Sequence, residues 1–112
     1  MATISNLFID AGSDYSVIVT VRDSLGQPIN LTDYTVKSQL RKSYKSSVFF
    51  DFDATVYDGP TGKIRLALSN DVTDEIEPGR WLYDVEITFG DGGPKRRVLE
   101  GIATVTPQIT QT

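Results

Sequence analysis

The sequence predicts an all-β protein: a single immunoglobulin-like antiparallel β-sandwich of about seven strands. Three observations point there. Apolar residues recur at every second position in run after run, and clusters of Gly, Pro, Asn and Asp separate the runs. No segment between runs is long enough for the crossover helices that parallel units require. With 112 residues the chain can build one core and has no room for a second. Residues 1–112 are therefore expected to form one domain with extended polar ends, about 1–10 and 106–112.

An N-terminal strand is expected over Ile4 to Ile9. Tyr15, Val17, Val19 and Val21 then alternate with Ser16, Ile18, Thr20 and Arg22, the pattern of a half-buried strand. Asp23 to Pro28 carries turn chemistry. Tyr34, Val36, Ser38 and Leu40 form the next dry face, with Thr35, Lys37, Gln39 and Arg41 opposite. A further line, Val48, Phe50, Phe52, Ala54 and Val56, is set against Asp51, Asp53 and Thr55, and Asp58 to Gly62 closes it. Ile64, Leu66 and Leu68 make a short strand. Ser69 to Ile76 breaks the alternation, opens with helix-capping residue types and spaces Val72 and Ile76 four apart, which predicts a single helical turn. Trp81, Tyr83, Val85, Ile87 and Phe89 give the longest clean alternation, Gly90 to Pro94 a hairpin loop, and Leu99, Gly101, Ala103 and Val105 the return strand. Trp81, Tyr83 and the phenylalanines at 50, 52 and 89 are expected to supply most of the buried area.

The chain contains no His and no Cys. That removes disulfides, thiolate nucleophiles, Cys-based zinc sites and the usual general base near neutral pH. No nucleophile has a visible base and no Gly-rich phosphate loop joins a strand to a helix, so no enzyme activity and no cofactor are expected. Fifteen acidic residues against eleven basic ones, a net charge of −4, argue against a dedicated nucleic-acid binder. No apolar run approaches a membrane span, and the first residues lack the pattern of a signal peptide.

Asp51 and Asp53, two apart on one strand and followed by Asp58, invite a calcium site, but no ligand-loop spacing accompanies them and a solvated sheet face is expected. Asp71, Asp74, Glu75 and Glu77 form a second acidic loop, two of them near a helix start where they would complement the helix dipole. Lys37, Arg41, Lys42 and Lys45 form a locally basic stretch and are the candidate partner contacts. The same pattern also serves as ordinary charge on an edge strand, as does Lys95-Arg96-Arg97. Asn30-Leu31-Thr32 matches a glycosylation sequon and is read as a turn.

Two segments resemble small tailed-bacteriophage virion structural proteins. Asn30-Leu31-Thr32-Asp33-Tyr34-Thr35, running on to Leu40-Arg41, is similar to that family's aspartate-leucine-threonine-glycine-tyrosine-threonine run. Asn30 here replaces the usual Asp, and Asp33 the usual Gly. Pro78-Gly79-Arg80-Trp81-Leu82-Tyr83-Asp84-Val85-Glu86, with Leu99-Glu100-Gly101 and Thr104-Val105-Thr106-Pro107, is similar to its closing hairpin. The resemblance spans about Asp14 to Pro107. It implies a compact β-sandwich made in the host cytoplasm and built into the virion, in the tail or baseplate or on the capsid surface. Its partners would be other virion proteins in a symmetric assembly, with no catalytic residues. The alternative is a carbohydrate-binding module that attaches virions to host glycans, with Tyr44, Phe49 and Tyr57 as stacking aromatics.

Overall fold

Alternation of apolar and polar residues yields nine strands in two packed sheets in the computed structural model, which describes residues 3–43, 45, 47–90 and 92–107. In chain order the strands are β1 (Thr3–Ile4), β2 (Leu7–Asp10), β3 (Tyr15–Thr20), β4 (Tyr34–Arg41), β5 (Phe49–Asp51), β6 (Asp53–Asp58), β7 (Lys63–Leu68), β8 (Gly79–Phe89) and β9 (Lys95–Thr106). One short helix, α1 (Asn70–Thr73), follows β7. A six-stranded sheet has the order β1-β9-β8-β4-β5, with β2 also on β9, and a three-stranded sheet has the order β3-β7-β6.

The seven expected runs become nine strands because two of them break. Ser5 and Asn6 divide the N-terminal run into β1 and β2. Phe52 divides the run from 48 to 56: β5 pairs with β4 in the larger sheet, and β6 pairs with β7 in the smaller. Phe52 is the corner, 6% exposed, with its N–H donating to Ser38 O (3.0 Å). This corrects the expectation that Asp51 and Asp53 project from one face. Asp51 lies opposite Gln39 in the larger sheet, and Asp53 opposite Ala67 in the smaller.

The pairing is not wholly antiparallel. β1 and β2 run parallel to β9, with Leu7 opposite Ala103 and Ile9 opposite Val105. A parallel pair needs a long connection between its strands. Here nearly the whole chain supplies it, because the first strands lie beside the last. Leu7 and Ile9 are buried, so this segment belongs to the core.

Inward residues of β8 (Trp81, Tyr83, Val85 and Ile87) face a layer that includes Ile64, Leu66 and Leu68 of β7, and all are buried. Phe52 stacks edge-on to Tyr83 (6.2 Å) and Phe50 to Trp81 (5.7 Å), arrangements that add to plain area burial. Phe89 departs from expectation. It is 51% exposed and packs edge-on to Tyr34 alone among the rings (5.1 Å). β8 has eleven residues while the strands of the facing sheet have six, and its buried line stops at Ile87, so Phe89 at the strand end lies past the layer that covers Trp81 to Ile87. Val48 is also exposed rather than part of the dry line. A bulge in β9, opposite Val85 and Glu86, turns two successive residues, Val98 and Leu99, into the core.

The expected helical turn forms at α1, and its buried Thr73 ties three segments together. Thr73 Oγ1 accepts from Gly12 N–H (3.1 Å) and donates to Ser13 O (2.8 Å), while Asp14 Oδ1 accepts from Asn70 N–H (2.7 Å). Thr73→Val keeps the shape and leaves two backbone groups without a partner. It is expected to lower folding stability by about 1–3 kcal/mol, read as a shift of the urea midpoint. An unchanged midpoint would mean that water replaces the hydroxyl at no cost.

Candidate functional site

Strand parity sends Lys37, Gln39 and Arg41 of β4 to the outer face of the six-stranded sheet. Register places Lys37 opposite Glu86, Gln39 opposite Asp84 and Arg41 opposite Leu82. β9 adds Glu100 opposite Asp84 and Ile102 opposite Leu82, and the bulge brings Arg97 opposite Glu86. Gln39 Nε2 donates to Asp51 Oδ1 (2.9 Å), Arg41 donates to Gln39 Oε1 (3.0 Å), and the Arg41 guanidinium lies 4.8 Å from the centre of the Phe49 ring.

Of the four candidate contact residues, Lys37 and Arg41 share this face. Lys42, just past the end of β4, turns its ammonium over the Trp81 ring (5.2 Å from the centre). Lys45 is exposed in the turn that follows. Lys37 and Arg41 therefore sit in a mixed-charge field with the carboxylates of β8 and β9, which local sequence reading did not bring together with them. The face holds two shallow adjoining depressions, of about 220 Å³ and about 210 Å³, which share Gln39, Asp84 and Glu86.

Asp84 is the electrostatic centre. Arg97 Nε lies 3.3 Å from Asp84 Oδ2, and Arg97 Nη1 lies 3.5 Å from Glu100 Oε2. Partial burial nevertheless holds the Asp84 carboxyl above its ordinary 3.8: desolvation outweighs the pull of Arg97 and Arg41, and Glu86 and Glu100 push the same way as burial. A carboxyl raised on folding contributes most to stability below its unfolded pKa, and the contribution falls as pH rises through the folded value. In an NMR titration, Asp84 is expected to titrate above 3.8, and further up again in Arg97→Gln. A lower value in that variant would show that the ion pair does not govern this carboxyl.

Burial pushes the Tyr15 hydroxyl up to about 12 and raises that of Tyr83, so neither phenol is a base at neutral pH. No group of three or more potential metal ligands gathers among the described residues. Exposed apolar side chains border the charges. Phe8 and Ile4, on the outer face of β2 and β1, are 73% and 74% exposed, beside Ile102 of β9. A polar N-terminal end is expected from the sequence; Ile4 and Phe8 depart from that, and parallel pairing with β9 is what aligns them. Of the three aromatics weighed for sugar stacking, Phe49 lies on the six-stranded sheet and Tyr57 on the three-stranded one, so these two share no platform. Tyr44 lies outside the described residues.

The hairpin residues that resemble those of virion proteins have structural work in this sheet. Gly79 opens β8 at φ 132°, where side-chain-bearing residues are strained. Trp81 Nε1 donates to Glu77 O (2.8 Å), the Tyr83 hydroxyl donates to Ser5 O, and Gly101 lies directly beneath Ser5. Asp33, standing where the resembled family has Gly, is the one described residue other than Gly with positive φ (69°). Together these groups turn β8, seat the N-terminal segment on β9 and shape the entry to β4.

The same arrangement of sheets occurs in a domain from a phage protein. The N-terminal domain of phage TP901-1 ORF48 aligns with a TM-score of 0.64 at 13% identity, over 90% of this chain and 84% of that one. At that identity the likeness shows the fold. A family 123 glycoside hydrolase from Clostridium perfringens (TM-score 0.41, 9% identity, 94% of this chain and 23% of that one) is more distant. So is AggA, the major subunit of aggregative adherence fimbriae type I from Escherichia coli (0.38, 13%, 90% and 89%). Neither bears on function. No protein-family model and no curated protein matches the sequence.

Proposed function

We propose that this chain is a non-enzymatic structural component of a bacteriophage virion. It is an immunoglobulin-like sandwich that acts through protein–protein contacts in the tail or baseplate or on the capsid surface. The observation that carries the reading is the fold shared with a phage domain over 90% of the chain. It agrees with the two sequence segments that resemble virion proteins. The outer face of the six-stranded sheet suits docking: it sets Lys37 and Arg41 among the carboxylates Asp84, Glu86 and Glu100, with Phe8, Ile4 and Ile102 as apolar neighbours. Lys37 and Arg41 are the central contacts of this proposal. Lys42 and Lys45 stand at its border, Lys42 engaged with Trp81. Other virion proteins are the partners, and neither nucleic acid nor membrane is required.

Antibody labelling of virions in electron microscopy tests the reading. Label is expected on the particle, either spread over the head or confined to the tail end. Particles without label, when the same antibody detects the chain in the lysate, would overturn it. Lys37→Glu with Arg41→Glu is expected to reduce incorporation into particles while leaving the thermal midpoint of the isolated domain within a few degrees. Normal incorporation would remove this face from the contact.

A further inference from the structure

β3 differs from every other sheet edge among the described residues. The smaller sheet has the order β3-β7-β6, so β3 is paired on one side alone. Its six residues, Tyr15–Thr20, include no charge, and β-branched residues make up half or more of them. The remaining edges among the described residues carry carboxylates: Asp10 on the N-terminal edge of β1 and β2, Asp51 on β5, and Asp53 and Asp58 on β6. Proteins guard open edges with charges because a bare edge is a template for another strand. β3 lacks that guard at its full length.

The backbone register shows what the edge offers. Val21 N–H donates to Gly62 O (2.8 Å), and the antiparallel register continues as Val19 opposite Ile64 and Val17 opposite Leu66. Odd-numbered residues therefore turn their N–H and C=O groups toward β7. Ser16, Ile18 and Thr20 turn theirs away from it, to the open side. On the outer face Ile18 is 45% exposed at the middle of the strand. On the inner face Val17 and Val19 pack against the core but are less fully buried than Ile64, Leu66 and Leu68 beside them, as an edge with an open side would leave them.

We infer that β3 pairs with β3 of a second copy of this chain, antiparallel about a two-fold axis through Ile18. A second copy fits because the edge is complementary to itself. The axis sets Ile18 against Ile18 and Ser16 against Thr20, with about six main-chain hydrogen bonds across the junction. No like charges meet. The Arg65 side chain of each copy reaches from β7 onto β3, where its Nε donates to Ser16 Oγ (3.1 Å); the axis sets each Ser16 four residues along the strand from its counterpart, which keeps the two guanidinium groups roughly 14 Å apart. That exceeds the screening length of about 8 Å at physiological salt. The pairing would join two three-stranded sheets into one of six and cover Val17 and Val19. It leaves the outer face of the larger sheet free and does not depend on which assembly the chain serves.

Analytical ultracentrifugation over a concentration series tests it, with Ile18→Lys and Ile18→Glu as variants. The Ile18 side chain points to solvent in the monomer, so in dilute solution, where the wild type is also monomeric, both variants are expected to keep its thermal midpoint to within a few degrees. The wild type is expected to reach twice its 12.4 kDa mass. Each variant alone is expected to stay monomeric, since it sets like charges face to face, and an equimolar mixture is expected to regain the doubled mass. Amide exchange at Ser16, Ile18 and Thr20 is expected to slow in the wild-type dimer and not in either variant. A wild type that stays monomeric throughout, or variants that dimerise as it does, would overturn the inference.

Discussion

Replacing Trp81 with Ala is expected to cost about 3–5 kcal/mol of folding stability, the range for truncating a buried large aromatic. The indole is 4% exposed and anchored at both ends. Its N–H donates to Glu77 O (2.8 Å), which fixes the turn leading into β8, and its faces meet Phe50 and the Lys42 ammonium. Truncation opens a cavity between the sheets and releases that turn together. A urea midpoint that barely moves would mean that the β8 alternation faces water and that the core has been assigned to the wrong side of the strand.

Gly101→Ala is the second large effect. Only a hydrogen at this position lets β9 pass beneath the N-terminal segment, because an added Cβ would overlap the carbonyl of Ser5 and crowd Asn6 Oδ1 (3.1 Å). The obstacle is backbone, so no rotamer change relieves it, and the segment must lift. Lifting it threatens Ser5 N–H to Glu100 O (2.9 Å), Ile102 N–H to Asn6 Oδ1 (3.1 Å) and the Tyr83 hydroxyl bond to Ser5. Overpacking of this kind costs about 1–3 kcal/mol, and each lost hydrogen bond about 1 more. The expected result is a loss of about 3–5 kcal/mol, with the Ser5 and Ile102 amides exchanging freely while those of β4 stay protected. Unchanged protection at Ser5 would show that β1 does not rest on Gly101.

The pattern of residues that made the fold legible is local, and its failures are all non-local. Period two placed Trp81, Tyr83, Val85 and Ile87 inside, because a strand with one dry face must alternate. It misplaced Phe89, since alternation along a strand does not say where the opposite sheet ends. It merged β5 with β6, because a corner at Phe52 keeps the same apolar rhythm while moving the chain from one sheet to the other. The parallel seating of β1 and β2 depends on contacts across almost the full length of the chain, which no window of residues contains. Asp33 is a different case: a substitution for Gly in the resembled family was visible, and its positive φ gives that Gly its reason.

The candidate surface was legible in the same measure. Lys37 and Arg41 share parity, so their common face followed from the sequence. Lys42 is adjacent to Arg41 in sequence, yet one more residue of chain sends it over Trp81. The carboxylates of Asp84, Glu86 and Glu100 join the two cations through the strand order β9-β8-β4, which composition does not encode.

Quantitative mass spectrometry of virions gradient-purified from a lysate that contains this chain tests the central claim most directly. A structural component must travel with the particle through successive gradients in a fixed copy number per virion, set by the symmetry of the site it occupies. That constant ratio to the major capsid protein is the expected result. A chain abundant in the infected-cell lysate and lost from particles at the first gradient would contradict the account.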